Sequence, residues 1–176
     1  MFWSQRELVQ LAKGKPTYQW IEAAGMRCPN GPTAVTPATT RAESFLAIAG
    51  GAHGLGYFPA AAWTGDVGAA ISGVARAVRY LGPGLLGPDI PTTVEPASGP
   101  VLAGARAFNG AVYVIAVNSG YTSARATITV RGLAGRPLEI FDEGRQVASR
   151  GDAFADDFAP LAAHVYVAAP AIGTKH

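Results

Sequence analysis

The sequence changes character at a proline-rich stretch around position 88. Residues 87–100 hold four prolines in a polar segment, a composition typical of a linker. Before it, strand-like runs alternate with helix-like runs, and after it short β-branched runs are separated by turn residues. The predicted fold class is therefore α/β followed by all-β, with an α/β segment at 1–87, a linker at 88–100, a β-domain at 101–169 and a tail at 170–176.

The first 87 residues predict the element order helix, strand, helix, strand, helix. The first strand spans 16–23, where alternation of side chains places Tyr18, Trp20 and Glu22 on one face. The second strand spans 54–59. Two strands joined through a helix are expected to be parallel, and a parallel sheet is normally covered on both faces. Two strands cannot supply such a sheet, so this segment is predicted to be part of something larger or half of an assembly.

The second half carries hairpin and strand patterns. The pair Asn109–Gly110 separates two strand-like runs, and Asn-Gly is the strongest short signal for a β-hairpin. Six or seven short antiparallel strands in this space favour a small β-sandwich. The runs that predict these strands are 101–107, 111–118, 124–131, 137–141, 145–149 and 162–168.

Composition and motifs exclude several classes of function. The 176 residues carry a formal net charge of +2, with arginines scattered along the chain, which predicts no nucleic-acid partner. No apolar run reaches the roughly 18 residues of a membrane span, so no membrane contact is expected. The glycines at 50–56 precede a predicted strand, whereas a phosphate-binding loop follows a strand and begins a helix, so these glycines do not predict a nucleotide-binding site. The cellular compartment is left open.

Metal and disulfide chemistry are also not expected. One cysteine, Cys28, and three histidines give no metal-ligand spacing, and a single cysteine has no partner for an intramolecular disulfide. His53 lies ahead of the second strand and His164 within a predicted strand, and both are interpreted as structural side chains. We therefore predict no metal and no cofactor.

Several segments resemble one enzyme class in their order and spacing. GKPTYQWIEA at 14–23, Thr-Pro at 36–37 with Arg-Ala-Glu at 41–43, and GGAHGLGYF at 50–58 resemble the last two strand–helix units of TIM-barrel glycoside hydrolases. FADDFAPLAAHVY at 154–166 is similar to the end of the small β-sandwich that often follows such barrels. A complete barrel needs about 250 residues, so the resemblance implies a partial (β/α) barrel segment and a β-linked oligo- or polysaccharide as substrate.

The resemblance assigns a catalytic candidate. Retaining glycosidases use two carboxylates about 5–5.5 Å apart, and in these families the nucleophile is commonly a Glu at the end of the seventh strand, which Glu22 matches. The acid/base lies at the end of the fourth strand, which this chain does not contain, so the chain alone is expected to be inactive. The alternative is that Glu22 caps the strand or binds a loop backbone. Glu43 and Asp66 are interpreted as a helix residue and a helix cap.

Four aromatic residues are candidates for substrate binding. Aromatic faces cover the apolar face of a sugar ring while its polar edges stay solvated. Trp63 lies in the loop after the second strand, on the side where barrel active sites form. The alternative is ordinary core or interface packing. The complete set is Tyr18, Trp20, Tyr57 and Trp63.

Two other classes of function remain open. The chain is either a non-catalytic carbohydrate- or protein-binding module, or a structural unit whose open sheet edge associates with a complementary barrel segment or with a second copy. The β-half contains no Trp, and its tyrosines at 113 and 166 fall in predicted strands, where packing is the default. Carbohydrate binding by that half is therefore not favoured.

Overall fold

The computed structural model describes residues 1–24, 35–59 and 65–170, which form three α-helices and eleven strands. A short 3-10 helix, Gly82–Leu86, follows the third α-helix. The elements, in chain order, are α1 (Phe2–Leu11), β1 (Tyr18–Glu22), α2 (Pro37–Ala49), β2 (Gly54–Phe58), α3 (Gly65–Leu81), β3 (Asp89–Ile90), β4 (Thr92–Glu95), β5 (Val101–Phe108), β6 (Ala111–Asn118), β7 (Ala124–Val130), β8 (Leu138–Ile140), β9 (Arg145–Val147), β10 (Ala153–Phe158) and β11 (Ala163–Ala168).

The first two strands form a parallel pair, as the helix between them predicts. Tyr18 lies opposite Gly54 at one end of the pair, and Glu22 lies opposite Phe58 at the other. Helix α2 begins at a capping box, in which the Thr36 side chain accepts a hydrogen bond from the backbone of the third helical residue. The predicted order helix, strand, helix, strand, helix is confirmed.

The remaining strands form two antiparallel sheets. One has the order β3-β5-β6-β11-β8-β9 and the other has the order β10-β7-β4. The predicted hairpin is confirmed, since Asn109 and Gly110 connect β5 and β6 with positive φ angles of 48° and 77°. The two sheets share one apolar core, which includes Val114, Ile128 and Phe154.

Three strands lie where no strand was predicted. The segment interpreted as a linker contains β3 and β4, which pair with β5 and β7. Because β4 is an edge strand of its sheet, the prolines near it remove no hydrogen bond of the sheet interior. Strand β10 was missed because the buried Asp156 lies between the buried Phe154 and Phe158, which breaks the apolar alternation.

The six-stranded sheet is covered on both faces, and this joins the two halves of the chain. Along β6, Val112, Val114 and Ala116 face the core between the sheets. Ile115 and Val117 face a second core formed with α2 and α3. Burial on both faces explains why β6 is an almost continuous apolar run.

The end of α2 contacts β5 directly. A Cβ atom on Gly104 would lie 2.1 Å from the backbone oxygen of Ala49, so only glycine permits this approach. The nearly buried Arg106 pairs with Asp89 at 3.2 Å and points a second guanidinium nitrogen toward the Ile48 oxygen at 3.5 Å. The last turn of α2 is thereby held against the sheet.

Two further contacts join the helices to the sheet. Arg41 of α2 donates a hydrogen bond of 3.0 Å to the Ala163 oxygen, and its guanidinium lies 4.7 Å from the ring centre of Phe45. The rings of Tyr80 and Phe141 stack with their centres 4.4 Å apart. The α/β segment and the antiparallel sheets therefore pack as one unit.

A polar cluster connects the two antiparallel sheets. Asp156 of the three-stranded sheet accepts hydrogen bonds from Arg145 at 3.0 and 2.9 Å, and from the Tyr166 hydroxyl at 2.8 Å, both on the other sheet. Burial acts to raise the pKa of Asp156, but the hydrogen bonds from Arg145 and Tyr166 lower this pKa below its ordinary value. Burial of the Tyr166 hydroxyl and the neighbouring Asp156 carboxylate raise the pKa of Tyr166.

We expect Gly104→Ala to lower the free energy of unfolding by about 1–3 kcal/mol, because the added methyl group forces α2 away from β5. Gly73→Ala is the control, since a Cβ at Gly73 in α3 meets no atom within 4 Å; alanine there should stabilise by up to about 1 kcal/mol. Urea unfolding measures both. Equal stability of Gly104→Ala and wild type would contradict the close contact.

We expect Asp156→Asn to lower the free energy of unfolding at pH 7 by about 2 kcal/mol, because Arg145 loses a charged acceptor. Asp156 stabilises the fold above its unfolded pKa, near 3.9, and this contribution is lost as pH falls through the lower native pKa. The difference from wild type should therefore shrink between pH 5 and pH 2 in a urea series. Asp157→Asn is the control, because its partner Arg125 is exposed. A stability difference between Asp156→Asn and wild type that stays constant with pH would refute this account.

Candidate functional site

The candidate site is the open face of the β1–β2 pair. Tyr18, Trp20 and Glu22 lie on this face, as the alternation predicts, and Tyr18 and Trp20 are 52% and 62% exposed. The opposite face carries the fully buried Ile21, which packs with Ala47 of α2. The helix side of the pair is therefore covered, and the side with the candidate residues is open.

Two glycines on β2 let the aromatic rings lie against the backbone. Gly54 and Gly56 are opposite Tyr18 and Trp20. A Cβ on Gly54 would lie 2.6 Å from the Tyr18 ring, and one on Gly56 would lie 2.7 Å from the Trp20 ring. The Tyr18 hydroxyl donates a hydrogen bond of 2.9 Å to the Leu55 oxygen. The two rings meet edge to face, with centres 5.6 Å apart and planes at 71°.

Glu22 lies at the carboxyl end of β1, beyond the aromatic pair. Its partner across the sheet is Phe58, which is half exposed on the same open face. The Ala23 amide donates to the Phe58 oxygen at 2.7 Å, so the two strands remain paired past Glu22. Phe58 was not among the predicted site residues, although the period-two pattern of Gly54 and Gly56 already indicated its orientation.

A second acidic residue feels the charge of Glu22. Burial raises the pKa of Glu43 on α2, the Met1 amino group opposes this rise, and the Glu22 carboxylate adds to it. Glu43 lies within α2 and Asp66 lies in the first turn of α3. The interpretation of Glu43 as a helix residue is consistent with its position, whereas Asp66, predicted to be a helix cap, is the second residue of α3.

One predicted binding residue is not on the open face. Tyr57 alternates to the helix side, where its hydroxyl shares a hydrogen bond of 3.1 Å with Ser44. Burial raises the pKa of Tyr57, and the hydrogen bond with Ser44 opposes this rise. Tyr57 therefore lies on the opposite face from Tyr18 and Trp20, and its role in substrate binding stays a prediction. Trp63 lies outside the described residues, as does Cys28.

The two described histidines make structural contacts. His53 joins the starts of β1 and β2, because its Nδ1 atom accepts a hydrogen bond of 3.3 Å from the Thr17 amide. His164 pairs with Glu143 and packs against Phe158, with ring centres 4.9 Å apart. Within residues 1–24, 35–59 and 65–170, no group of three or more His, Cys, Asp and Glu side chains could hold a metal ion.

The open face combines one carboxylate with an apolar aromatic surface. The side chains that β1 and β2 place there belong to Tyr18, Trp20, Glu22 and Phe58, and only one of these is an acid. Such a face can stack against a sugar ring and present a carboxylate to it. Hydrolysis of a glycosidic bond needs a second carboxyl group, which these two strands do not provide.

Comparison by sequence gives no relative. No protein-family model matches the chain, and no curated protein matches it significantly. In the described part of the chain, no helix has the length and apolar character required to cross a membrane.

Comparison by structure finds parts of glycoside hydrolases. A GH27 β-L-arabinopyranosidase from Geobacillus stearothermophilus has a TM-score of 0.66 at 12% identity, over 100% of this chain and 42% of its own. An α-amylase from Geobacillus thermoleovorans gives 0.65 at 12% identity, with coverages of 92% and 42%. A GH30 endoxylanase from Clostridium papyrosolvens C71 gives 0.56 at 13% identity, with coverages of 92% and 44%.

These similarities concern the fold, because the identities are low. The chain spans less than half the length of each of these three proteins. Its antiparallel sheets and three helices are consistent with the C-terminal portion of such a chain. The resemblance to glycoside hydrolases is thus confirmed in part, because this chain has the fold of a portion of these enzymes.

Proposed function

We propose that this chain is the C-terminal portion of a glycoside hydrolase and that Glu22 is its catalytic nucleophile. The observation that carries the proposal is the position of Glu22, exposed at the carboxyl end of a parallel strand and on the face opposite to the covering helix α2. In β/α barrels the catalytic residues come from this end of the strands. Residues 1–87 would belong to the barrel and residues 101–169 to the appended β-sandwich.

The proposed reaction needs two carboxyl groups and water. The Glu22 carboxylate attacks the anomeric carbon, and a covalent glycosyl–enzyme bond forms as the bond to the leaving oxygen breaks. A second carboxylic acid protonates that oxygen and then removes a proton from the water that hydrolyses the intermediate. That second group belongs to the remainder of the barrel, so the 176-residue chain alone is inactive. The chemistry calls for no metal or other cofactor.

The proposed substrate is a β-linked oligo- or polysaccharide. This proposal rests on the resemblance of the sequence, because the names of the structural neighbours are divided between a β-L-arabinopyranosidase and an α-amylase. Tyr18, Trp20 and Phe58 would stack against the sugar, because aromatic rings cover the apolar face of a pyranose. Trp63, which follows β2 in the sequence, is proposed as a further stacking residue.

In the completed enzyme we expect Glu22→Gln to reduce kcat by about 1,000-fold or more, because the amide is a poor nucleophile. Glu22→Ala with added azide should recover turnover and release a glycosyl azide of inverted configuration, a product that only loss of the nucleophile explains. The exposed Glu139 on β8 supplies the control Glu139→Gln. Unchanged turnover by Glu22→Gln, at unchanged stability, would return Glu22 to a structural role.

A carbohydrate-binding module without hydrolysis is the second candidate. The exposed edge-to-face pair of Tyr18 and Trp20 favours it, because such a surface binds sugar without any acid. Titration of the 176-residue chain with xylo-oligosaccharides separates the two candidates. Sugar binding that is lost in Trp20→Ala, together with no glycosidase activity when the chain is joined to the rest of a barrel, would favour the binding module.

A further inference from the structure

A groove opens where helix α1 meets the first strands of the antiparallel sheets. Its volume is about 620 Å³, and ligand sites in proteins typically measure roughly 300–1,000 Å³. Phe2, Trp3 and Arg6 of α1 line one wall, and β3, β4 and β5 form the remainder. No residue of β1 or β2 lines this α1 groove, so it is separate from the open face of that strand pair.

The floor of the α1 groove is an unpaired part of the edge of β5. Strand β3 pairs only with Ala105 and Arg106 of β5. The chain leaves this sheet at Pro91 and continues as β4, which pairs with β7 of the other sheet. In the described part of the chain, residues 101–104 of β5 thus have no strand neighbour on this side.

The register of the β5–β6 hairpin shows which backbone groups of β5 face the groove. Opposite residues in an antiparallel pair alternate between those that exchange hydrogen bonds and those that do not. The two-residue turn at 109–110 makes its flanking residues a bonded pair, so every second residue from Ala107 backwards directs its N–H and C=O to the other side. The Ala107 amide accordingly donates to the Pro88 oxygen at 3.2 Å. By the same alternation, Val101 and Ala103 direct their backbone groups toward the groove.

The Trp3 side chain forms an exposed aromatic wall beside these backbone groups. Trp3 is 69% exposed, and its ring meets the buried Phe2 ring edge to face, with centres 5.0 Å apart and planes at 88°. Arg6 lies one helical turn further on, with its guanidinium carbon 5.8 Å from the centre of the same Phe2 ring. Phe2 therefore positions both an exposed indole and a cation along the groove.

The opposite wall supplies hydrogen-bond acceptors. The Asp89 carboxylate accepts a hydrogen bond of 3.2 Å from Arg106, yet the Asp89 side chain stays 56% exposed. The Thr92 hydroxyl donates to the Ile90 oxygen at 2.9 Å, which leaves its lone pairs able to accept. The groove thus combines donors on Arg6 with acceptors on Asp89 and Thr92, beside backbone groups of both kinds.

We propose that the α1 groove is a second carbohydrate-binding site, which holds a short stretch of an oligosaccharide. A sugar hydroxyl is both a donor and an acceptor, and the groove offers partners for both roles. The indole of Trp3 would cover the apolar face of the sugar ring. Phe2 is a positioning residue, because it is buried and acts through Trp3 and Arg6.

Other classes of ligand match the groove less well. An extended peptide would find outward backbone groups on only Val101 and Ala103, whereas an ordinary strand has about five or six residues. An acidic ligand would meet the carboxylate of Asp89, which lies across the groove from Arg6. A neutral ligand rich in hydroxyl groups fits both the short edge and the mixed charge.

This site goes beyond the proposed function, because it lies toward the opposite end of β1 from Glu22. Helix α1 is joined to the start of β1 by the 2.8 Å hydrogen bond from Gln5 to Thr17. Glu22, at the other end, is roughly 16 Å along the strand from Thr17. Asp89 is the one carboxylate among the described residues that line the groove, and glycoside hydrolysis needs two. A sugar bound here is therefore held without being cleaved.

The test follows the indole N–H signals of the three tryptophans by heteronuclear NMR. The isotope-labelled 176-residue chain is titrated with xylotetraose, which is β-linked, and separately with maltotetraose, which is α-linked. Trp3 reports the α1 groove and Trp20 reports the open face, so the two sites are measured separately. We expect the Trp3 signal to shift with at least one sugar and to saturate with a Kd of about 0.1–1 mM.

Variants test the residues of the groove. Arg6→Ala should raise the Kd measured at Trp3 at least about tenfold, because charge-assisted hydrogen bonds are lost. Trp3→Ala should raise the Kd measured at the Ala103 amide by a similar factor, whereas Trp3→Phe keeps an aromatic face and most of the affinity. Tyr121→Ala is the matched control, since Tyr121 is 64% exposed between β6 and β7 and does not line the groove. It should bind as wild type does.

Three results would overturn the second site. They are no shift of the Trp3 and Ala103 signals with either sugar at about 20 mM, far above the expected Kd, a shift that Arg6→Ala and Trp3→Ala both leave unchanged, and a response confined to Trp20. The last result would keep the sugar surface of the proposed function and reject the groove. A response at Trp3 without one at Trp20 would keep the groove and count against sugar stacking on the open face.

Discussion

The close contact between the last turn of α2 and strand β5 is the constraint on which the rest of the structure depends. Because Gly104 has no side chain, the helix reaches the backbone of the sheet, and Arg106 then lies near the helix carbonyls. This contact places α2 between two sheets. One side of the helix covers the six-stranded sheet and another covers β1 and β2. The position of Glu22 is therefore fixed through α2 by the antiparallel part of the chain.

The two antiparallel sheets thus act as a support for the parallel pair. Their own core is closed, with apolar residues between the sheets and the half-buried ion pair of Arg145 and Asp156 joining them. The parallel pair has the opposite character, since it is covered on the helix side and open on the other. A strand pair with one covered face and one exposed apolar face is typical of a segment that contacts another polypeptide or a ligand.

Much of this fold could be predicted from the sequence, and the exceptions have physical causes. Regular alternation in β1 and the Asn109–Gly110 turn specify local structure, so these elements agree with expectation. The sequence does not predict strand β10, because Asp156 is buried through its partners Arg145 and Tyr166, which lie eleven and ten residues away. Such a long-range ion pair leaves no local pattern.

The candidate site shows the same contrast between features that follow from local sequence and features that do not. Tyr18, Trp20 and Glu22 were placed on one face by counting along a single strand, which needs no knowledge of the neighbours. The same rule applied to β2 places Tyr57 on the helix side and Phe58 on the open face. Aromatic character alone does not distinguish these two neighbours. Register along the strand was thus the better guide to the site than residue type.

Gly54 and Gly56 give the open face its shape. Because they carry no side chains, the rings of Tyr18 and Trp20 rest on the backbone of β2 and the surface stays low. Any other residue at these positions would lift the rings and narrow the space above the strands. The height of the surface beside Glu22 is therefore set by two residues that have no side chains of their own, and a substitution there would reshape this face without any change to the carboxylate.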